Sequence, residues 1–507
     1  MNQDISEKQD SFIQLLHRNV KKFPNKLAVC DENNEITYGQ LWEKINQARE
    51  NLLNKGIKEG DRVAFLQSNS ISFVIIHFAI IFNKSISIPL DVGSTISNIS
   101  KILENSKAKL ILIEKKIFKL YENLTGEFGI EDIEKFLKDS EEIKNVNCYE
   151  NDRFYYDINK TSVILFTSGS TGEPKGVKLS QRNTLITLRN ISNFCKYTDS
   201  SFEVVTLPIS HSFGLGHVYS MLFCGGGVYL QQGLIKIKKI LNALKKFKAT
   251  GFPTTPAGVD LILENYSEIF KLHAVNLQQM VVNSAPLSPE KTKKLAYLMP
   301  NVKIYVYYGM TEASRSTFAC LTDLGEKFYG TVGKPMESLS IQIDKSNSEI
   351  VISGPSVSDG YWPDNDFSKS ASGFSEIKSG DKGRFDKNGY LYIIGRIKDQ
   401  INVGGFKVDP LEVESVIKRY KGIKNVAVFS YLDERGDEKI LSFIETDSET
   451  ITLDELEIFC KKNIEYYKMP SQFILIENIP QGINGKIDRN GLKALYEEIK
   501  EEKKLLN

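Results

Sequence analysis

Short runs of β-branched and other apolar residues alternate, along the first part of the chain, with segments whose apolar residues share one helical face. Arg62–Leu66, Ser85–Pro89 and Ala108–Ile113 read as strands. Leu41, Ile45, Ala48 and Leu52 repeat at helical spacing and stop near Gly56, a usual terminator. The rhythm resumes after Ser180, with a helix over Gln181–Cys195 and strands near Glu203–Leu207 and Gly227–Leu230. Alternation of this kind predicts parallel sheet covered by helices. Between about Glu326 and Tyr392 the pattern shortens to brief strands broken by GKPM, DKSNSE, SGP and DKNG, turn signals that predict a β-rich subdomain. Beyond Arg396, strands at Val426–Phe429 and Leu441–Glu445 and helices at Pro410–Arg419 and Leu453–Lys462 suffice for a separate α+β domain.

Two apolar segments need a closer reading. Phe73–Phe82 is interrupted by His77 and ended by Asn83 and Lys84, too short to span a bilayer and suited to a buried helix. In Leu234–Lys248, residues Ile237, Ile240, Leu241, Leu244 and Phe247 form one face and six lysines dominate the rest. That pattern suits a helix laid over a sheet; the alternative is a basic docking face for an acidic carrier protein.

Composition narrows the classes. The 507 residues amount to about three domain-sized cores, with 41% hydrophobic and 25% charged residues as in ordinary globular chains. With 65 basic against 64 acidic side chains there is no global field for nucleic acid or an anionic membrane. The six cysteines include no CxxC pair and the five histidines no HExxH cluster, which points to a reduced protein without a metal-ligand motif. MNQDISEKQD lacks the features of a signal peptide, and no transmembrane segment is found, so a cytoplasmic location is expected.

The most informative string is Ser162–Val177, SVILFTSGSTGEPKGV. An apolar strand enters Thr167, Ser168, Gly169, Ser170, Thr171 and Gly172, and Lys175 follows. Glycines let backbone amides turn toward an anion, the hydroxyls add donors and the lysine adds charge, the chemistry of a polyphosphate cradle. GxxxxGK[ST] is absent, and the β-like run Val177–Leu179 makes this a bend between two strands, whereas a P-loop opens a helix.

This string resembles the signature loop of acyl-activating adenylate-forming (AMP-binding) enzymes, among them acyl-CoA ligases, nonribosomal adenylation domains and firefly luciferase. Further motifs follow in that family's order, from about Phe12 to Leu492. Tyr307-Tyr308-Gly309-Met310-Thr311-Glu312, after a strand at Lys303–Val306, resembles the motif whose aromatic stacks on adenine and whose Thr and Glu serve phosphate and Mg²⁺. The resemblance thus implies Tyr308, Thr311 and Glu312 in those roles, with Thr171 beside Glu312 at the metal; read alone, the tyrosines suit a strand end packed in a core. Ser379-Gly380-Asp381 resembles a TGD motif with Ser for Thr, implying Asp381 at the ribose, and Arg396 follows for ribose or phosphate. Lys398 is implied as a hinge, Gly405 as lining for a pantetheine arm, and Lys486, in NGKIDR, as the mobile ammonium serving α-phosphate and carboxylate.

The acid is less legible. LPISHSFG resembles an LPxxHxxG segment, placing His211 at the substrate carboxylate; a satisfied core histidine is the plainer alternative. Ser212 stands where amino-acid-activating relatives carry Asp, which disfavours an α-amino acid. Ser284 and Ala285, in Asn283-Ser284-Ala285-Pro286-Leu287, resemble a GGAPL pocket wall, joined by Gly309. The resemblance implies two helix-flanked β-sheets plus a β-rich subdomain over 1–396, then a small mobile α+β domain over 397–507. It implies a ligase that uses MgATP to adenylate a carboxylic acid and passes the acyl group to coenzyme A. Transfer to the phosphopantetheine of an acyl carrier protein is the alternative, ahead of an amino-acid-adenylating domain or a catalytically silent nucleotide-binding protein.

Overall fold

The computed structural model describes residues 10–122, 124, 126–143, 156–168, 174–363, 365–370, 373–403, 406–433, 437–446, 451–481 and 487–505. Two compact units emerge. The first comprises Met1–Asn283, Leu287–Ile341 and Ile352–Ile377, and the second Ser284–Pro286, Gln342–Val351 and Lys378–Asn507.

Among the described residues the first unit holds two large sheets. One has nine strands; its central run, Lys303–Met310, Gln279–Val282, Gly251–Thr254, Phe202–Val205, Gly227–Leu230 and Leu27–Cys30, is parallel. The other has eight, with Thr161–Ser168, Ile86–Leu90, Arg62–Leu66, Leu110–Ile113 and Gly129–Asp132 parallel. Strand alternation distributes the apolar side chains: Val63 and Phe65 join one cluster, Ala64 and Leu66 another. The largest cluster draws on both sheets and on helices Tyr38–Asn54, Ile71–Phe82, Gln181–Cys195 and Ser212–Cys224. Burial on both sides explains why these parallel strands read as near-continuous apolar runs. Ile71–Phe82 is a buried helix, as its all-round hydrophobicity predicts, and among the described residues no helix is long and apolar enough to cross a membrane.

The lysine-rich segment forms the helix Ile237–Lys246, with Ile237, Ile240, Leu241 and Leu244 buried in the cluster on the other face of the nine-stranded sheet. Lys236 pairs with Glu32 at 2.6 Å, and Lys239 and Lys246 pair with Glu32 and Glu35. The helix therefore covers the sheet with its apolar face, as the pattern predicts.

The segment expected to form a β-rich subdomain is divided among three sheets. Lys334–Pro335 extends the nine-stranded sheet, while Gly360–Tyr361 and Asn365–Asp366 extend the eight-stranded one. Ser340–Ile343, Glu349–Ser353, Glu376–Phe385 and Leu391–Arg396 form a four-stranded sheet. Strands of two residues carry no periodicity, so their destination was invisible. In the second unit, Ile423–Leu432, Glu438–Thr446 and Gln472–Ile476 make a three-stranded sheet. Val426 and Val428 face one cluster, and Ala427 and Phe429 the other.

Tyr38, fully buried at the start of its helix, donates its hydroxyl proton to the Gly226 carbonyl at 2.8 Å, just beyond the helix Ser212–Cys224. Tyr38→Phe strands that carbonyl and is expected to cost about 1–2 kcal/mol, measured as a lower urea midpoint; an unchanged midpoint would deny the bond that role.

Candidate active site

Thr161–Ser168 and Pro174–Ser180 pair antiparallel, with Thr167 opposite Lys175 and Ser168 opposite Pro174. The hydroxyl-rich bend does join two strands. Gly169, Ser170, Thr171 and Gly172 lie outside the described residues, as do Gly405 and Lys486. At the root of the bend Thr167 Oγ1 donates to the Lys175 carbonyl at 3.4 Å. The Lys175 ammonium stands 5.4 Å from the centre of the Tyr361 ring, a cation–π contact. Tyr361 belongs to the short strand Gly360–Tyr361, which pairs with Pro174–Ser180.

The strand Lys303–Met310 runs further than expected, through Tyr308 and Gly309, and pairs antiparallel with Ala313–Cys320. Thr311 and Glu312 occupy the turn. Tyr307 and Tyr308 are both buried, so the packing role open to a strand end is real. Glu312 is only 6% exposed. The Tyr361 hydroxyl donates to Glu312 Oε1 at 2.7 Å, and the Ser358 N–H donates to the Glu312 carbonyl at 2.8 Å. Burial, reinforced by the Glu312 charge, pushes the Tyr361 phenol well above its ordinary value and keeps it a donor. Tyr361 was not found from the sequence, because a tyrosine in GYWP carries no motif and only strand pairing brings it to Glu312. Among the described residues no group of three or more His, Cys, Asp and Glu could hold a metal. A lone buried carboxylate fits Mg²⁺ that arrives with a nucleotide's phosphates, since that ion takes few protein ligands.

His211 immediately precedes the helix Ser212–Cys224. It is no core histidine: its side chain is 50% exposed, and Nε2 lies 2.8 Å from Asp91 Oδ2. With a carboxylate as acceptor, Nε2 carries the proton. Burial raises the Asp91 carboxyl, but the bonds from His211 and from the Gly93 N–H, at 2.8 Å, outweigh it and hold the group below its ordinary value. Ser212 and Thr311 line a cavity together with Gly216, Tyr219, Ser314 and Arg315. Gly309 allows the turn to close, since a Cβ there would lie 2.4 Å from the Arg315 backbone nitrogen. Ser284 holds φ at +87°, a left-handed conformation that glycine enters without the Cβ penalty, so the departure from a glycine pair is kept at some strain.

Within the second unit, Asp381 faces Arg396 across Glu376–Phe385 and Leu391–Arg396. Arg396 Nε donates to Asp381 Oδ1 at 3.0 Å, and the Asp381 N–H donates to Ser379 Oγ at 3.0 Å. Lys398 sits in the 3₁₀ turn Ile397–Asp399 that follows. Ala285 belongs with Ser284 to this unit by its contacts.

A buried carboxylate in the turn after a parallel strand, linked through Tyr361 to the Lys175 ammonium, has the chemistry to serve phosphates and their cation. Comparison with known proteins gives the family. Residues 16–362 match the AMP-binding enzyme family and residues 412–486 the AMP-binding enzyme C-terminal domain. The chain belongs to the AMP-binding enzyme family. It is 29% identical to an oxalate–CoA ligase of Arabidopsis thaliana, over 95% of this chain and 97% of that one. It is 26% identical to a 2-succinylbenzoate–CoA ligase of Listeria monocytogenes, over 95% and 99%. In fold it is similar to ATP-bound MatB from Rhodopseudomonas palustris, with TM-score 0.85 at 22% identity over 97% and 100% of the chains. O-succinylbenzoate coenzyme A synthetase of Bacillus subtilis, in complex with ATP and magnesium ion, gives TM-score 0.81 at 22% identity over 94% and 99%.

Because the folded Asp91 pKa lies below its unfolded value, its charge stabilises the fold above the unfolded value, and that contribution fades as pH falls through the folded one. His211→Ala leaves burial as the main influence and reverses the shift. The variant is expected to melt below the parent at about pH 7 and the gap to narrow only as pH falls below about 4, toward the depressed folded pKa of Asp91 in the parent. A gap independent of pH, read by differential scanning calorimetry, would count against the pair.

Proposed function

We propose that this chain is an ATP-dependent acid–CoA ligase of the AMP-forming type. A substrate carboxylate oxygen attacks the α-phosphorus of ATP; the acyl-adenylate forms and pyrophosphate leaves. The coenzyme A thiol, losing its proton, then attacks the acyl carbon, giving the thioester and releasing AMP. Neither step calls for a protein nucleophile. The observation that carries the reading is the Glu312–Tyr361–Lys175 arrangement: a buried carboxylate, fixed by a phenol, next to the cationic root of a hydroxyl-rich bend.

Thr167, Ser168, Gly169, Ser170, Thr171, Gly172 and Lys175 are assigned to the polyphosphate, Tyr308 to adenine, and Thr311 to phosphate. Glu312, with Thr171, would hold Mg²⁺, whose charge offsets that of the phosphates. Asp381 and Arg396 are assigned to the ribose and its neighbouring phosphate; their mutual bond keeps both oriented before nucleotide binds. Lys486 supplies the ammonium that lets two anions approach, Lys398 the pivot between the half-reactions, and Gly405 the space for a thin thiol arm. His211, held by Asp91, is assigned to the acid's carboxylate, and Ser212, Ser284, Ala285 and Gly309 are assigned to the acid. Coenzyme A is favoured over a carrier protein because the relatives named above are CoA ligases.

Two measurements test this. Incubation with MgATP, coenzyme A and a panel of carboxylic acids is expected to yield AMP and an acyl-CoA; transfer only to a holo-carrier protein would overturn the choice of acceptor, and no acid-dependent pyrophosphate exchange would overturn the ligase reading. Lys486→Ala is expected to lose acid-dependent exchange by roughly 10²-fold or more, as when a charge-stabilising donor is removed from an active site. Exchange at the parent's rate would take Lys486 out of the chemistry.

A further inference from the structure

The cavity under the helix Ser212–Cys224 contains a charge that the ligase chemistry leaves unexplained. Arg315 is 3% exposed, and a guanidinium stays protonated in any protein environment. Its Nη1 donates to the Ser212 carbonyl at 3.2 Å and to Ser314 Oγ at 3.0 Å, and Nη2 donates to the Phe213 carbonyl at 3.0 Å. Its Nε is buried and has no hydrogen-bond partner among the described residues. Among the described residues no carboxylate pairs with it. The buried Glu203 is already engaged on both oxygens, accepting from the Tyr197 hydroxyl at 2.7 Å and lying 2.8 Å from His217 Nδ1.

A buried cation with neutral acceptors alone is costly, and the chain goes to some length to keep it. Arg315 holds φ at +57°, a left-handed conformation unusual for a side-chain-bearing residue and associated with functional positions. Gly216 makes room for it, since a Cβ there would fall 2.4 Å from Nη1 and Nη2. The head group lies over the Tyr307 ring, 5.2 Å from its centre. Arg315, Ser212, Ser314, Thr311 and Gly216 all line the same cavity, of about 40 Å³. The helix start beside it has no side-chain cap, so its positive end adds to the same potential.

We propose that Arg315 binds a second carboxylate of the substrate, so that the enzyme's acid is a short dicarboxylic acid activated at one end and held at the other. This rests on the ligase reading above and adds the substrate class. The anion would supply the counter-charge the protein withholds. The same positive charge disfavours an ammonium-bearing substrate, in agreement with Ser212 in place of an acidic residue.

Calorimetric titration of the full chain with succinate and with butyrate, in the presence of AMP, tests the proposal independently of turnover. Succinate is expected to bind at least 10-fold more tightly than butyrate. Arg315→Gln, which keeps an amide donor for the two carbonyls and removes the charge, should bring that ratio close to one by weakening succinate. Arg315→Lys, which keeps the charge, should retain part of the preference and serves if the glutamine variant does not fold. Butyrate binding as tightly as succinate to the parent would overturn the proposal, as would an Arg315→Gln variant that weakens both acids equally, the signature of a merely structural arginine. Succinate binding that depends on Arg315 without any acid-dependent pyrophosphate exchange would sustain this inference while defeating the ligase reading.

Discussion

The turn between Lys303–Met310 and Ala313–Cys320 is the constraint on which the site depends. It closes tightly because Gly309 has no side chain to separate it from Arg315, and it stands at the carboxyl end of a parallel strand, where open α/β sheets present their ligands. One turn therefore aims Thr311 and Glu312 and, three residues on, buries Arg315. A carboxylate and a guanidinium so close along the chain, yet with different partners, are the basis for proposing a cation and an anion in one small region.

Both charges are held by neutral groups. Glu312 takes its hydrogen bond from a phenol that burial keeps protonated, and Arg315 gives its bonds to carbonyls and a hydroxyl. Neither is cancelled by an opposite charge among the described residues, so each retains its field for a ligand. His211 and Asp91 do the reverse: a half-exposed imidazole and a largely buried carboxylate satisfy each other and fix the ring without adding net charge when it is protonated. In the second unit Asp381 and Arg396 form a similar self-satisfied pair across two strands.

Much of this was legible in the sequence because the motifs are local. The helix Gln181–Cys195 was read to the residue, and the strand-to-strand nature of the hydroxyl-rich bend followed from Val177–Leu179 alone. The fate of the lysine-rich helix followed from its apolar face. What escaped was pairing between distant segments. Gly360–Tyr361 is too short to show a period, so nothing announced that Tyr361 would reach Glu312. No motif singled out Arg315, and its burial depends on Gly216 in a helix about a hundred positions earlier. His211 was singled out by its motif, but its partner Asp91 was not, since the two meet only where a strand of one sheet ends beside a helix that follows a strand of the other.

By itself the sequence determined the alternation of strands and helices, the family, and the residue types available for gripping a polyphosphate, because each is written in spacing that the local backbone enforces. Tertiary structure alone decided which side chains face one another, and so which charges are cancelled and which are left for a ligand. The physical reason is that desolvation and hydrogen bonding act through space: whether Glu312 is fixed, Asp91 held ionised or Arg315 left without a counter-ion depends on neighbours that the order of residues does not name.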